Sequence, residues 1–318
     1  MKQLFITLSI FFATSMSLQA AETRTIVDDT GTEVDIPIKP MRIVSLHDSV
    51  LTVPLLELGA ELVGSHGRGD SESNAFIRSS RSITGIDFDN SDIEWVGNYP
   101  ADIERVAALK PDLILTTAWQ SLDVDQLRKI APTVLLDYTK RDQWAIYDWL
   151  AELTDTTDKL ALMKLRYADQ IELIKTVVDT ESIMVSTVHA LDKQLFAFNP
   201  YGNIGKVLID AGFQQPTIIT DIPVGERRDF AAESLQEFDA DFIITTYRST
   251  GGEYPADVRR YFESIVPNYC QALHACREGQ MIMVSRSLGS TTSYYALGAV
   301  TYMILAEIGG KEFTPLSH

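Results

Sequence analysis

Histidines, arginines and aromatic residues recur just past the β-rich runs of this chain: His47, His66 and Arg68, Trp119, Tyr138, His189, Phe198 and Tyr201, Tyr247 and Arg248, and Arg286. Open α/β sheets bind ligands beyond the carboxyl ends of their strands, so these positions are cleft candidates. Guanidinium groups grip anionic oxygens through charge-assisted hydrogen bonds and aromatic rings pack on flat groups, so the set suits a flat or conjugated anionic ligand. Turnover has less support. The chain carries no Gly-x-Ser-x-Gly elbow, no His-Glu-x-x-His and no Gly-x-Gly-x-x-Gly, and Asp48 beside His47 has no identifiable nucleophile. An exported enzyme is the competing class. His47, His66 and His189 are the one trio that could hold a bare metal ion, but a lone His after a strand more often bonds locally; no metal site is assigned.

The elements that must position these residues fall into two series. β-rich runs at 42–46, 62–65, 113–117 and 133–136 alternate with helical patterns such as 53–58 and 124–130. A second series runs through 183–188, 195–198, 217–219, 242–246 and 281–285. Between them, Thr156 to Val178 lacks Gly and Pro and spaces Leu160, Met163, Tyr167, Ile171, Ile174 and Val178 at three- and four-residue steps, which predicts one long helix capped by Asp155 or Thr156. The fold class is therefore α/β, two lobes with mainly parallel sheets joined by a single long α-helix. The boundaries are 22–153 for the N-terminal lobe, 154–180 for the linker helix and 181–318 for the C-terminal lobe.

An internal echo supports two equivalent lobes. Glu104 stands eight residues before Asp112 and Glu233 eight before Asp241, and each Asp opens an apolar strand ending in Thr-Thr, at 116–117 and 245–246. Helical spacing turns both glutamates outward in the first turn, where a carboxylate complements the helix dipole by a few tenths of a kcal/mol.

Residues 1–21 read as a secretory signal peptide: Lys2, an apolar run from Leu4 to Ala13, then small and polar residues to a cleavage point near Ala20 or Ala21. Roughly ten apolar residues are too few to span a bilayer needing about 20. The net charge of −17 and pI near 4.7 disfavour electrostatic capture of nucleic acid or anionic membrane. Export to an oxidising compartment allows Cys270 and Cys276 to form a disulfide, provided the stretch 269–277 is partly looped; the alternative is two buried thiols.

The residues Arg42-Ile43-Val44-Ser45-Leu46, Leu56-Glu57-Leu58-Gly59-Ala60, Ile103 through Ile114 with its Leu-Lys-Pro-Asp-Leu-Ile core, and Glu233 with Asp241-Phe242-Ile243-Ile244 carry a resemblance. Along essentially its whole mature length, the chain resembles the periplasmic binding proteins of iron-siderophore, haem and cobalamin ABC importers. The resemblance implies two Rossmann-like lobes bridged by one helix, a periplasmic location and binding without chemistry. It implies that Glu104 and Glu233 dock onto arginines of an inner-membrane ABC permease dimer. It also singles out Arg248, because some catecholate-binding relatives place an Arg shortly after that strand. Those relatives place another Arg after the first-lobe Lys-Pro-Asp strand, where this chain has Trp119 and Gln120; this departure leaves carboxylate, hydroxamate or mixed siderophores open. The expected ligand set is Arg248, Trp119, Arg286, Tyr247, Tyr201, His47, Arg68 and Arg228, with Arg227 the alternative to Arg228. The expected ligand is a ferric siderophore, the protein a monomer, and no resident cofactor is expected, iron entering only within the siderophore. Haem is the nearest alternative, since Tyr and His are both available to ligate iron; a bulky neutral cobalamin would give the arginines little to bind.

Overall fold

The computed structural model describes residues 22–191 and 193–317; the expected signal peptide lies outside them. The N-terminal lobe is built on a five-stranded parallel sheet in the order Glu94–Trp95, Leu62–Ser65, Ile43–Ser45, Leu113–Thr117, Thr133–Leu136. The three inner strands are mostly apolar, with Ser or Thr at their carboxyl ends, as a buried parallel sheet requires. A hairpin of Thr23–Val27 and Glu33–Pro37 precedes it.

The C-terminal lobe is more mixed than its sequence predicts. Met281–Ser285, Phe242–Tyr247 and Val185–Thr187 form a parallel sheet, while His189–Leu191, Gln194–Asn199 and Glu226–Phe230 form an antiparallel one. The run at 217–219, read above as a strand, is instead a helical turn, Thr217–Thr220, that starts after Pro216 and buries Ile219. The strand partner in that part of the lobe is Glu226–Phe230, mostly exposed and charged.

The linker is the helix Thr157–Val177, 21 residues and about 32 Å long. Neither predicted cap operates. Thr156 occupies the cap position without a side-chain bond, and Asp155 sits in the left-handed region at φ 56°. Leu160, Met163, Tyr167, Ile171 and Ile174 are buried, and the helix packs on Ala145–Leu153 of one lobe and on Gly202–Ala211 and Tyr294–Ile304 of the other. One apolar cluster runs from Val34 and Leu115 through this helix to Phe242 and Val300, so the lobes share a core. A core continuous across the junction resists wide hinge motion.

The echo between lobes has a physical basis. Asp112 accepts the backbone N–H groups of Met41 and Arg42 at 2.7 and 2.9 Å, and Asp241 accepts that of Met184 at 2.8 Å. Each carboxylate thereby ties down the start of the neighbouring parallel strand. Glu104 and Glu233 are both exposed, the first in the opening turn of Ile103–Ala108 and the second in a 3-10 segment, Ala232–Phe238.

A second tie crosses the lobes. Glu57, on the first-lobe helix Val53–Leu58, accepts from Ser293 Oγ at 2.7 Å and from the backbone N–H groups of Tyr294 and Tyr295 at 3.1 and 2.9 Å, and from the hydroxyl of buried Tyr147. It thus caps the helix Tyr294–Ile304 from the opposite lobe, where a carboxylate also meets the positive end of the helix dipole. In the C-terminal lobe Cys270 and Cys276 are disulfide-bonded with Cα atoms 4.9 Å apart. An extended Leu273 breaks the segment into the short helices Tyr269–Ala272 and His274–Arg277, the interruption that such a bond needs. Among the described residues no helix is long and apolar enough to cross a membrane.

Candidate functional site

A cavity of about 760 Å3 opens between the lobes, lined by Ser49, Arg78, Ser79 and Tyr138 from the first and by Arg248, Arg286, Ser287 and the run Ser290 to Thr292 from the second. Its volume is that of a small-molecule site. Among the described residues, its lining contains three arginines and no carboxylate, on a chain whose net charge is −17.

The first-lobe wall grows from the end of the strand Ile43–Ser45. His47 caps the turn that follows, accepting Val50 N–H on Nδ1 at 3.2 Å, and Asp48 is fully buried inside that turn. Asp48 accepts from Arg68 Nε at 2.8 Å and from an Arg78 terminal nitrogen at 3.1 Å. Burial works against ionisation of Asp48, but the two guanidinium groups prevail and hold its pKa below the usual carboxylate value. Burial also lowers the Arg78 pKa; Asp48 opposes that shift, and Arg68 and Arg286 reinforce it. The influence of Arg286 on Arg78 marks the two lobes' arginines as electrostatic neighbours.

Behind this wall His66 accepts Asp48 N–H on Nδ1 at 3.3 Å, and Trp119 stands edge-on to His47 and His66 at centroid distances of 5.2 and 5.3 Å. Arg68 lies over the Trp119 ring at 5.4 Å. Burial pushes both imidazoles down to about 4, against the pull of Asp48, so both are neutral near pH 7. His47, Arg68 and Trp119 therefore form a supporting layer next to the cavity rather than its lining.

The second-lobe wall begins at Arg248, after the strand Phe242–Tyr247. Its Nε donates to Glu253 Oε1 at 2.8 Å, and Glu253 also accepts Arg248 N–H at 2.8 Å and Tyr261 O–H at 3.3 Å. Arg286 opens the short helix Arg286–Ser290 after the strand Met281–Ser285 and is exposed to the cavity. A small recess beside both arginines is lined by His189, Phe196, Tyr201 and Thr246. Tyr201 is buried, shares a hydrogen bond with Thr246 Oγ1 at 2.9 Å and packs on His189 at 4.0 Å between ring centroids. Burial, then the charges of Arg286 and Arg227, push His189 down to about 3. Burial raises the Tyr201 pKa, and Thr246 and Arg286 oppose the shift.

Of the expected ligand set, Arg248 and Arg286 line the main cavity and Tyr201 lines the adjoining recess. Tyr247 does not reach it. Side chains alternate along a strand, so with Thr246 turned towards Tyr201, Tyr247 points the other way into a separate groove with Pro255 and Met283. Arg228 lies on the exposed strand Glu226–Phe230 and donates to Asp221 O at 3.2 Å, while Arg227 pairs with Asp229 and covers the Phe196 ring at 4.2 Å. Neither lines the main cavity. The histidine trio does not converge either: His189 packs inside the second lobe, and among the described residues no cluster of three metal-ligating side chains occurs. Arg78 and Ser79 do not follow a strand but sit just before the helix Ser80–Thr84, and the hydroxyls at 287–292 belong to the short helix Arg286–Ser290 and the two residues after it. The run of Ser and Thr from Ser285 to Ser293 was the available signal.

Comparison with known proteins places this geometry. The family model described as periplasmic binding protein matches residues 84–260. The iron(3+)-hydroxamate-binding protein FhuD of Bacillus subtilis is 26% identical over 243 residues, 74% of this chain and 72% of that one. Among solved structures, a FhuD-fold periplasmic binding protein component of a ferrichrome ABC transporter from Bacillus subtilis superposes with a TM-score of 0.71 at 22% identity, covering 89% of this chain and 98% of the other. SirA of Staphylococcus aureus, solved with staphyloferrin B, gives 0.68 at 21% identity, covering 90% and 98%. With two α/β lobes, one bridging helix and an interlobe cavity, the chain belongs to the periplasmic binding protein family, in the branch that serves siderophores, haem and cobalamin.

Proposed function

We propose that the protein captures a ferric siderophore in the interlobe cavity and presents it to an ABC permease in the periplasm, with no chemical step. The observation that carries this reading is the cavity itself, whose arginines and hydroxyls come from both lobes, so that a ligand is gripped from two sides. Curated relatives named for iron-hydroxamate binding support it. Iron is cargo here, held by its chelator, and no resident cofactor is invoked. Arg248 and Arg286 are the direct contacts, with Arg78 and Tyr138 opposite them; His47, Arg68 and Trp119 stiffen the first-lobe wall. Haem fits less well, because Tyr138 is the lone aromatic of the lining among the described residues and offers a porphyrin little flat apolar surface.

Titration of the mature protein with ferric citrate, ferrichrome, a ferric catecholate, haemin and cobalamin, followed through its four tryptophans, tests this reading. At least one ferric siderophore is expected to bind more tightly than ~1 µM. Binding of haemin or cobalamin alone would replace the ligand, and no binding at all would reopen the enzyme reading.

Glu104 and Glu233 serve, in this proposal, as the two contacts with a permease dimer, the protein acting as a monomer. Two exposed carboxylates on opposite lobes would set orientation and on-rate more than raw affinity. The double variant Glu104→Ala with Glu233→Ala is expected to keep its ligand affinity and to lose most import, measured as cellular uptake of radioactive iron. Normal uptake by the double variant would remove the docking assignment.

A further inference from the structure

The charges around the cavity differ in how far they are already spent. Arg68 and Arg78 share the buried carboxylate of Asp48, and Arg248 is held by Glu253 through its side chain and its backbone N–H. Arg286 has no ion-pair partner among the described residues. Four guanidinium groups against two carboxylates leave two positive charges, with Arg286 the least compensated, and its influence reaches Arg78, His189 and Tyr201. The three histidines near the site are neutral and add nothing to that balance.

A ligand closing over this cavity takes Arg286 out of water. A neutral chelate would leave that cation buried without a countercharge, which is the expensive arrangement, whereas an anionic one supplies the missing partner. Across the lobes Thr291 donates to Ser79 at 3.1 Å and Ser79 to Ser287 at 3.2 Å, which leaves the Ser287 O–H at the end of this chain as a neutral donor for a carboxylate oxygen.

Building on the siderophore reading, we propose that the ligand is a ferric chelate of net negative charge, carrying carboxylates beyond those needed to neutralise the metal, and that Arg286 is its principal charge anchor. Neutral trihydroxamate complexes, the ligand chemistry for which the curated relatives are named, are then the weaker binders. Arg248, held by Glu253, takes a secondary role in orienting the chelate.

The test is a charge series on the full mature protein: ferric citrate and a ferric citrate–hydroxamate chelate as anions, ferrichrome as the neutral complex and ferrioxamine B as the cation. The anionic chelates are expected to bind at least ~10-fold more tightly than the neutral one, and their affinity to fall as salt rises from ~0.05 to ~0.5 M. Arg286→Gln is expected to weaken the anionic chelates roughly 10- to 100-fold while moving ferrichrome by less than about 3-fold. Arg286→Lys keeps the charge but loses the fork, and should fall in between. Because Arg286 is exposed, unchanged thermal unfolding of both variants would confirm that binding alone is affected. Tighter, salt-insensitive binding of ferrichrome or ferrioxamine B, indifferent to Arg286→Gln, would overturn the charge assignment and leave the siderophore reading standing. Failure of every ferric chelate would remove both.

Discussion

Acidification from pH 7 to pH 5 is expected to remove about 6 kcal/mol of folding stability, roughly 2 kcal/mol for each of His47, His66 and His189. All three are buried and their folded pKa values are depressed, the first two to about 4 and the third to about 3, against 6.5 for a free imidazole. The folded state therefore stays unprotonated at these positions while the unfolded chain takes up protons below pH 6.5. Stability rises with pH wherever the unfolded state binds more protons, so the loss runs through the window from about 6.5 down to about 4. Burial is the main cause at all three positions. At His47 and His66 Asp48 opposes it and Arg68 and Arg78 add to it, while at His189 Arg286 and Arg227 act in the same direction as burial. Asp48 has a lowered folded pKa, so its share is present above the unfolded value near 4 and disappears only below it. Denaturant unfolding at several pH values would measure this, the slope between pH 6 and pH 5 approaching the uptake of three protons. His189→Gln should reduce that slope by about one proton. A stability that stays flat from pH 7 to pH 5 would show that the imidazoles are solvated or already charged in the folded protein.

Truncation of the interlobe tie has the next largest expected effect. Glu57→Ala leaves the hydroxyl of Tyr147, whose own pKa burial and then Glu57 hold well above the usual value, with only the long bond to Thr292 O at 3.4 Å, and frees Ser293 together with two N–H groups at the start of Tyr294–Ile304. A weakened bond at a buried hydroxyl and two uncapped N–H groups, with only the Ser293 cap on Ala296 N–H left, together amount to about 3 kcal/mol. For a chain of this size that is a fall in Tm of roughly 5 °C by calorimetry. Glu57→Gln keeps one acceptor oxygen and should show about half the loss. A shift of less than about 2 °C for Glu57→Ala would mean that water replaces the carboxylate and that the shared core alone joins the lobes.

The residues that declared themselves in the sequence were those whose chemistry is local. Leu62–Ser65, Leu113–Thr117, Thr133–Leu136 and Met281–Ser285 are short apolar runs bounded by turns, and they form strands with the same bounds as the runs. Glu226–Phe230 gave no such signal, because an exposed strand can be charged throughout; its pairing with Gln194–Asn199 decides its conformation. The linker helix was legible from its apolar spacing, and Thr156, one of the two expected cap residues, stands at its N-cap; what the spacing could not show is that the cap makes no side-chain bond and that Asp155 before it is left-handed.

The site divides along the same line. Arg248 and Arg286 follow strands and could be found by topology, whereas Arg78 reaches the cavity from a loop 30 residues beyond the Asp48 that holds it. Likewise, nothing in the sequence distinguishes a guanidinium with a countercharge from one without. Glu253 folds back onto Arg248 within a single segment while Arg286 has no such partner among the described residues, and this shifts the expected main contact from the former to the latter.

The most direct measurement of the central claim is the position of the iron itself. Crystals of the mature protein grown with the tightest-binding ferric chelate, measured at the iron absorption edge, should give one strong anomalous peak in the cavity between Arg78 and Arg286, with chelator oxygens within hydrogen-bond distance of the Arg286 guanidinium. An iron peak lying elsewhere, or one coordinated directly by His47, His66 or Tyr138, would contradict capture of an intact chelate between the lobes.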